Sequence, residues 1–208
     1  MADIAETTPS IFLFDLGKVV VDWDPMRLYS RFFQNKREAE LFCSEVCNLA
    51  WHTEHDRGVS MAANAAPLIE QYPQYEAAIK AWRSHWLDMF DGYIEGMDEL
   101  IGALQARNLP IYGLTNLPAE VAGETFDAFP LIQRFEDVIV SGAEGVVKPD
   151  PKIYRIALER MGHPEPNSIL FVDDRHENIA AAASLGFQTH LFETADQLTT
   201  HLVAARIL

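Results

Sequence analysis

Short apolar runs rich in β-branched and aromatic residues recur along the chain, and in its second half they alternate with amphipathic segments. The apolar runs lie at 11–15, 110–115, 137–141, 168–172 and 187–191. Apolar residues at helical spacing, with Pro at the start or Gly or Asn at the end, predict helices over 97–107, 151–162 and 175–186. Strands that alternate with helices in this way predict an α/β fold, in which a parallel sheet is covered on both faces.

The gap between the first two apolar runs is too long for an ordinary crossover. No strand-like run follows 11–15 until 110, whereas a connection between parallel strands needs only about a dozen residues. Amphipathic patterns within the gap predict three helices, over 36–48, 59–71 and 75–91. We therefore predict a core built from 1–22 and 96–208, with an inserted helical subdomain, the cap, over 23–95.

Polar side chains follow four of the predicted strands where each strand ends. They are Asp15, then Thr115 and Asn116, then Lys148 in a Pro-flanked loop, and finally Asp173 and Asp174. Each has an ordinary explanation as a helix or turn cap, or as a surface lysine. However, ligands of an open parallel sheet bind beyond the carboxyl ends of its strands, so all six residues are expected at one edge.

This set of side chains fits phosphoryl transfer through a covalent intermediate. An aspartate can attack phosphorus as a nucleophile, and carboxylates are common ligands of Mg²⁺. An ammonium and a hydroxyl group can hold the remaining phosphate oxygens, because catalysis of this reaction is mostly positioning and charge stabilisation.

The segments around these residues resemble the four motifs of the haloacid dehalogenase superfamily. The matching segments, in order, are FDLGKVVVDWD, LTN, VVKPDPKIY and LFVDDRHENIAAA. The resemblance implies a Rossmann-like, doubly wound core with strand order 5-4-1-2-3 and a helical cap inserted after the first motif. Phe-Asp-Leu-Gly in the first motif resembles the branch of α-D-glucose-1-phosphate phosphatases, which implies a sugar phosphate or another small phosphorylated metabolite as the substrate.

The resemblance also implies roles for the matching residues. Asp15 would be the nucleophile and would carry the phosphoryl group. The phosphate would be held by Thr115, the backbone of Asn116, and Lys148. Mg²⁺ would be bound by Asp15, the backbone carbonyl of Gly17, and Asp173, with Asp174 as a further ligand or a neighbour of one.

Gly17 departs from the pattern of most phosphatases in the superfamily, which have a second aspartate at this position. That aspartate protonates the leaving group and later activates water, a contribution of roughly 10²–10⁴-fold. One consequence is that the enzyme prefers substrates whose leaving group needs little protonation. Another is that a different group replaces the missing acid, with candidates Asp22, Asp24, Glu54, His55 and Asp56.

A third consequence is that the chain does not cleave phosphate. A 2-haloacid dehalogenase would use Asp15 to attack carbon without a metal, but Leu16-Gly17-Lys18 does not fit the D-x-Y-G-T pattern of those enzymes. A carboxylate cluster is also costly without a cation. A catalytically silent binding protein is the other alternative, and retention of the strand-end residues speaks against it.

The predicted cap contains two further candidate features. The polar segment from Trp51 to Gly58 is predicted as a loop between helices, from which His55 or Arg57 would select the non-phosphate part of the substrate, close to Gly17. Cys43, Cys47, His52 and His55 have the residue types of a zinc site. Their spacing matches no common zinc motif, so two buried thiols on a helix are the favoured interpretation.

The charge, hydropathy and cysteine content of the chain limit its expected partners and location. The net charge of −15 and the isoelectric point near 4.7 argue against nucleic acid and anionic membranes as partners. No apolar stretch approaches the ~20 residues that span a bilayer, and Met1 to Ser10 lacks the regions of a signal peptide. Two cysteines fit a reducing compartment. We expect a cytoplasmic enzyme with a small phosphorylated substrate, either monomeric or homodimeric.

Overall fold

The computed structural model describes residues 8–208, in which seven strands form one five-stranded and one two-stranded sheet. The strands are β1 (Ile11–Phe14), β2 (Val21–Trp23), β3 (Phe90–Tyr93), β4 (Ile111–Thr115), β5 (Asp137–Val140), β6 (Ile169–Asp173) and β7 (Gln188–Leu191). The larger sheet is parallel in the order β5-β4-β1-β6-β7. Counted within this sheet alone, the order is 5-4-1-2-3 read from the other edge, which confirms the predicted α/β topology.

β1 lies at the centre of the parallel sheet and is buried on both faces. Phe12 pairs with Ile111 of β4 on one side and with Leu170 of β6 on the other. Successive side chains of a strand point to opposite faces, so Phe12 and Leu13 enter different layers of the core. Burial on both faces explains why these strands are continuous apolar runs and not alternating ones.

Eleven α-helices surround and extend the parallel sheet within the described residues. They are α1 (Pro25–Tyr29), α2 (Lys36–Glu45), α3 (Leu49–Asp56), α4 (Met61–Gln71), α5 (Glu76–Ser84), α6 (Met97–Ala106), α7 (Ala119–Ala128), α8 (Ser141–Glu144), α9 (Pro151–Arg160), α10 (His176–Ser184) and α11 (Ala195–Ala204). The helices α6 and α11 contribute to the core layer of Phe12, and α9 and α10 to the layer of Leu13.

Helices α1 to α5 occupy the gap between β2 and β3, where the helical insertion was predicted, and they share an apolar cluster with Leu117, Val121 and Val140. Tyr29, Phe42, Trp82 and Trp86 are buried in it. Its rings are in mutual contact, for example Tyr29 and Phe42 with centroids 4.7 Å apart.

Two predictions within this region were wrong. The helix predicted over 75–91 ends at Ser84, and β3 follows because Phe90 pairs with Trp23 in an antiparallel ribbon. The predicted loop from Trp51 to Gly58 is mostly helix, since Asn48 caps α3 by accepting a hydrogen bond from the Trp51 N–H at 3.0 Å.

The expectation about a signal peptide falls largely on residues 1–7, which lie outside the described part of the chain. Among residues 8–208, no helix is both long enough and apolar enough to cross a bilayer.

Candidate active site

The polar strand-end residues come together at one edge of the parallel sheet, as predicted. A cavity of about 330 Å³ opens there and is lined by Asp15, Thr115, Lys148 and Asp174 together with Gly17 and Asn116. Asp15, Thr115 and Lys148 are each less than a tenth exposed. Crossovers in a doubly wound sheet bring distant strand ends to this position, which is where ligands of such folds bind.

Lys148 lies between two carboxylates. Its Nζ is 2.9 Å from Oδ1 of Asp15 and 2.8 Å from Oδ2 of Asp173. Burial opposes the charge of Lys148, but the attraction of Asp15 and Asp173 outweighs that effect and raises the pKa of the ammonium. Lys148 is therefore charged and held in place, and it bridges the ends of β1 and β6.

Asn116 fixes the loop that carries Lys148. Its Oδ1 accepts a hydrogen bond from the Lys148 N–H at 2.8 Å, and its Nδ2 donates to the Lys148 carbonyl at 3.1 Å. The sequence assigned the backbone of Asn116 to phosphate binding and missed this use of the side chain. The two bonds satisfy both polar groups of the amide and set the position of Lys148.

The two carboxylate oxygens of Asp15 differ in their hydrogen bonding. Oδ1 accepts from the Leu16 N–H at 2.6 Å as well as from Lys148, while no described residue donates a hydrogen bond to Oδ2. Burial raises the pKa of Asp15 to about 7, Lys148 opposes the rise, and Asp173 adds to it. A cation beside Asp15 would restore the ionised form that a nucleophile needs.

Asp173 is the most completely hydrogen-bonded carboxylate of the site. Nδ2 of Asn178 lies 2.9 and 3.0 Å from its two oxygens, and the Arg175 N–H donates to Oδ1 at 2.9 Å. Asn178 is buried in the first turns of α10 and was missed from the sequence. A polar side chain on the inner face of a helix is the signal that could have revealed it.

Asp15, Asp173 and Asp174 form a group that suits a hard divalent cation. One oxygen from each lies within 4.8 Å of the others, and this is the single such cluster of acidic, histidine or cysteine side chains among residues 8–208. Lys148 balances one of the three charges, which leaves an excess negative charge in a buried position. Oxygen ligands with excess negative charge fit Mg²⁺, and Gly17 lines the same cavity with its carbonyl available.

The cap contributes one helix to the cavity. His52, Thr53 and Asp56 of α3 line it, since positions three and four apart share a face of a helix. The predicted selectors His55 and Arg57 do not line it. His55 packs against Trp51 with ring centroids 4.4 Å apart, and Arg57 is exposed and pairs with Glu54.

His52 and Asp56 form a buried pair at the edge of the cavity. His52 Nε2 lies 3.4 Å from Asp56 Oδ2, while Asp56 Oδ1 has no hydrogen-bond partner. Burial lowers the pKa of His52 to about 3 and raises the pKa of Asp56 well above its usual value, although Lys148 opposes the second shift. The imidazole is therefore neutral near pH 7, and burial favours the protonated carboxyl of Asp56. The pair was missed from the sequence, although its i, i+4 spacing could have revealed it.

The other candidates for the missing acid have structural partners elsewhere. Asp22 pairs with Arg27, and Asp24 caps α1 by accepting from the Met26 N–H at 2.9 Å. Glu54 is 3.1 Å from Arg57 on the surface. Of the five carboxyl or imidazole groups proposed from the sequence, Asp56 is the one that lines the cavity.

The four zinc-type residues of the cap do not form a ligand cluster. The cluster of potential metal ligands found among residues 8–208 is Asp15, Asp173 and Asp174, and it includes none of these four. Burial raises the pKa of Cys43 to about 11 and that of Cys47 to about 12. Cys47 packs among apolar side chains that include Tyr29 and Phe42. The interpretation as small buried thiols fits Cys47, whereas Cys43 is only half-buried.

The sequence model of the haloacid dehalogenase-like hydrolases matches residues 10–186. The chain is 37% identical over 94 residues to acyl-CoA dehydrogenase family member 10 of Mus musculus. This alignment covers 45% of this chain and 8% of the mouse protein. It is 35% identical over 112 residues to flavin mononucleotide hydrolase 1 of Arabidopsis thaliana. That alignment covers 53% of this chain and 44% of the relative. The matched part thus spans less than half the length of either relative.

A solved structure has the same fold over nearly its whole length. The HAD family enzyme bt-2542 of Bacteroides thetaiotaomicron, in complex with magnesium and inorganic phosphate, superposes with a TM-score of 0.68 at 21% identity. The superposition covers 89% of this chain and 95% of that one.

Proposed function

We propose, since the chain belongs to the haloacid dehalogenase-like hydrolases, that it is a Mg²⁺-dependent phosphomonoester hydrolase with Asp15 as nucleophile. The observation that carries this proposal is the buried arrangement of Asp15, Lys148 and Asp173, in which one ammonium bridges two carboxylates beside a cavity. Such a site presents a nucleophile, a cation and metal ligands to one phosphoryl group.

Each group at the cavity has a part in the proposed reaction. The free oxygen of Asp15 attacks phosphorus in line with the leaving group and forms an aspartyl-phosphate, which water then hydrolyses. Thr115 and Lys148 hold the equatorial oxygens. Asp15, the Gly17 carbonyl, Asp173 and Asp174 would hold Mg²⁺, which would supply positive charge to balance the phosphate.

The comparisons support this chemistry at the level of class. One relative is by name a hydrolase of flavin mononucleotide, which is a phosphomonoester, and one structure of the same fold holds magnesium with inorganic phosphate. The carboxylate cluster of this chain provides the oxygen ligands that such a cation needs.

The substrate is proposed to be a small phosphorylated metabolite, with a sugar phosphate as the first class to examine. A cavity of about 330 Å³ is at the lower end of sizes for small-molecule sites. Its outer wall contains Trp23, Leu49, His52 and Thr53 in place of the predicted His55 and Arg57. We further propose a cytoplasmic monomer or homodimer with a core of 1–22 and 96–208 and a cap of 23–95.

A metal-free dehalogenase is the less favoured function. Three clustered carboxylates with one ammonium between two of them would leave unbalanced negative charge beside a 2-haloacid, which is itself a carboxylate anion near pH 7. A silent binding protein is also less favoured, because Asp15 is left with an oxygen that no described residue occupies.

Hydrolysis of p-nitrophenyl phosphate tests the proposal. We expect activity with Mg²⁺ that EDTA removes and that Asp15→Asn lowers by at least roughly 10³-fold, because the nucleophile is lost. Asp22→Asn is the matched control, because Asp22 is close to Asp15 in the sequence but is paired with Arg27. We expect this variant to retain activity. Activity that survives EDTA, or an Asp15→Asn variant as active as wild type, would reject the proposal, and halide release from 2-chloropropionate in EDTA would favour the dehalogenase.

A further inference from the structure

The edge of the sheet lacks an acidic side chain at Gly17, where most phosphatases of the superfamily are expected to have an aspartate. The cap places another carboxyl group, that of Asp56, at the same cavity. Gly17 has no side chain, yet an alkoxide leaving group needs a proton as the ester bond breaks. Among the carboxyl groups of α1 to α5, Asp56 lines the cavity that Asp15, Thr115 and Lys148 also line. It therefore lines the cavity in which the proposed phosphomonoester would bind.

The end of α3 that carries Asp56 is fixed against the core. A Cβ added at Gly58 would come within 2.8 Å of the Gly142 carbonyl oxygen, so the two backbones are in close contact. The Met61 N–H also donates to Glu120 Oε1 of α7 at 3.2 Å. Both contacts lie within a few residues after the end of α3, and they hold Asp56 at the cavity.

Asp56 is buried without full hydrogen bonding, which is uncommon for a carboxyl group with only a structural role. It is 3% exposed, and its Oδ1 has no partner while Oδ2 has only His52 at 3.4 Å. A buried carboxyl that lacks a charged partner is favoured in its protonated form. In that form it is a hydrogen-bond donor with a proton to give.

We propose that Asp56 is the general acid and base of the hydrolase, acting from the cap in place of the aspartate missing at Gly17. This inference rests on the proposed phosphomonoesterase function. In the first step the Asp15 oxygen bonds to phosphorus, the bond from phosphorus to the ester oxygen breaks, and the Asp56 proton moves to the departing alkoxide. In the second step the Asp56 carboxylate takes a proton from water, whose oxygen bonds to phosphorus as the bond to Asp15 breaks.

The test is a series of aryl phosphates with leaving phenols of graded pKa, extended to an alkyl phosphate. Wild type should show a shallow fall of kcat/KM with leaving-group pKa, because the proton is supplied. In Asp56→Asn, kcat/KM should fall steeply with leaving-group pKa. Relative to wild type, kcat/KM should be lower by less than about tenfold for p-nitrophenyl phosphate and by roughly 10²-fold or more for the alkyl ester. Asp56→Glu, which keeps a carboxyl group, should recover part of the shallow dependence.

The second step gives an independent readout. With p-nitrophenyl phosphate, Asp56→Asn should release a burst of nitrophenol equal to the enzyme concentration and then turn over slowly, because water is no longer activated. Glu54→Gln, a neutralised carboxyl on the same helix, is the matched control and should keep the wild-type slope and lack the burst. Asp56→Ala repeats the test if Asp56→Asn does not fold.

An equal loss for every leaving group, or a wild-type slope in Asp56→Asn, overturns the role of Asp56. Either result leaves the hydrolase intact as long as Asp15→Asn and EDTA still abolish activity. Survival of activity in Asp15→Asn would instead overturn the proposed function itself.

Discussion

Gly17 is a chemical departure and not a steric requirement. It does not have a left-handed backbone, and a Cβ added to it would meet no atom within 4 Å. A glycine that is required for its backbone would show a positive φ or a close neighbour, as Gly58 does with a φ of +92°. The space beside Asp15 could therefore hold an acidic side chain, and its absence shifts the proton transfer to another group.

Gly17→Asp should restore proton transfer where Asp56 has been removed. In the Asp56→Asn background we expect Gly17→Asp to raise kcat/KM for an alkyl phosphate by at least roughly tenfold, because an acid again lies two residues from the nucleophile. Gly17→Asn in the same background is the control for volume and polarity. Steady-state rates that are equal in the two double variants would contradict this account of Gly17.

At the level of elements, the contact between α3 and α8 depends on two glycines. A Cβ at Gly142 would lie 2.5 Å from the Ala119 N atom and 2.8 Å from the Leu117 carbonyl oxygen, both of which are backbone atoms. Neither can move without disturbing the segment that joins β4 to α7. The carbonyl of Gly142 is also the backbone group that Gly58 contacts, so packing at Gly142 sets where the cap helix ends.

Gly142→Ala should therefore destabilise the protein by about 1–3 kcal/mol, because overpacked backbone must shift. Gly123→Ala is the matched control, since Gly123 lies in α7 with no atom within 4 Å of an added Cβ and should gain roughly 0.5–1 kcal/mol. Urea unfolding measures both changes. A neutral Gly142→Ala would show that the contact is looser than the distances indicate.

The sequence predicted those elements whose buried positions are apolar and whose pattern can be read from neighbouring residues. Strands of the parallel sheet were found to within about two residues, and the three central strands, β4, β1 and β6, are mostly buried on both faces. The ribbon of β2 and β3 was missed because Phe90 pairs with Trp23, which is distant along the chain. Helix α3 was taken for a loop because His52, His55 and Asp56 on its buried positions are polar, which removes the amphipathic pattern.

The same reasoning explains which site residues were predictable. Asp15, Thr115, Lys148 and Asp173 follow strands whose order places their ends together, so the topology predicted their meeting. Asp56 could be named only as one candidate of several. Its position depends on how the cap packs on the core, for which the chain has no local signal.

Across the whole molecule, the acidic chain encloses a cavity that is lined by side chains of both charges. The net charge is −15, yet Lys18, Lys148 and Arg175 line the cavity, where an anionic ester would bind. The carboxylates beside them require a cation to balance their charge. The sheet edge and α3 line one cavity, and in the proposed mechanism the nucleophile and metal ligands lie on the sheet and the proton donor on α3.

The most direct test of the central claim is detection of a phosphoryl group on Asp15. Enzyme mixed with p-nitrophenyl phosphate and Mg²⁺ is quenched in acid during turnover, digested and mapped by mass spectrometry, with Asp56→Asn used to slow hydrolysis of the intermediate. We predict a phosphorylated peptide that contains Asp15, present with Mg²⁺ and absent in EDTA or in Asp15→Asn. Phosphate release without that peptide, or with phosphorylation on another residue, would contradict the account.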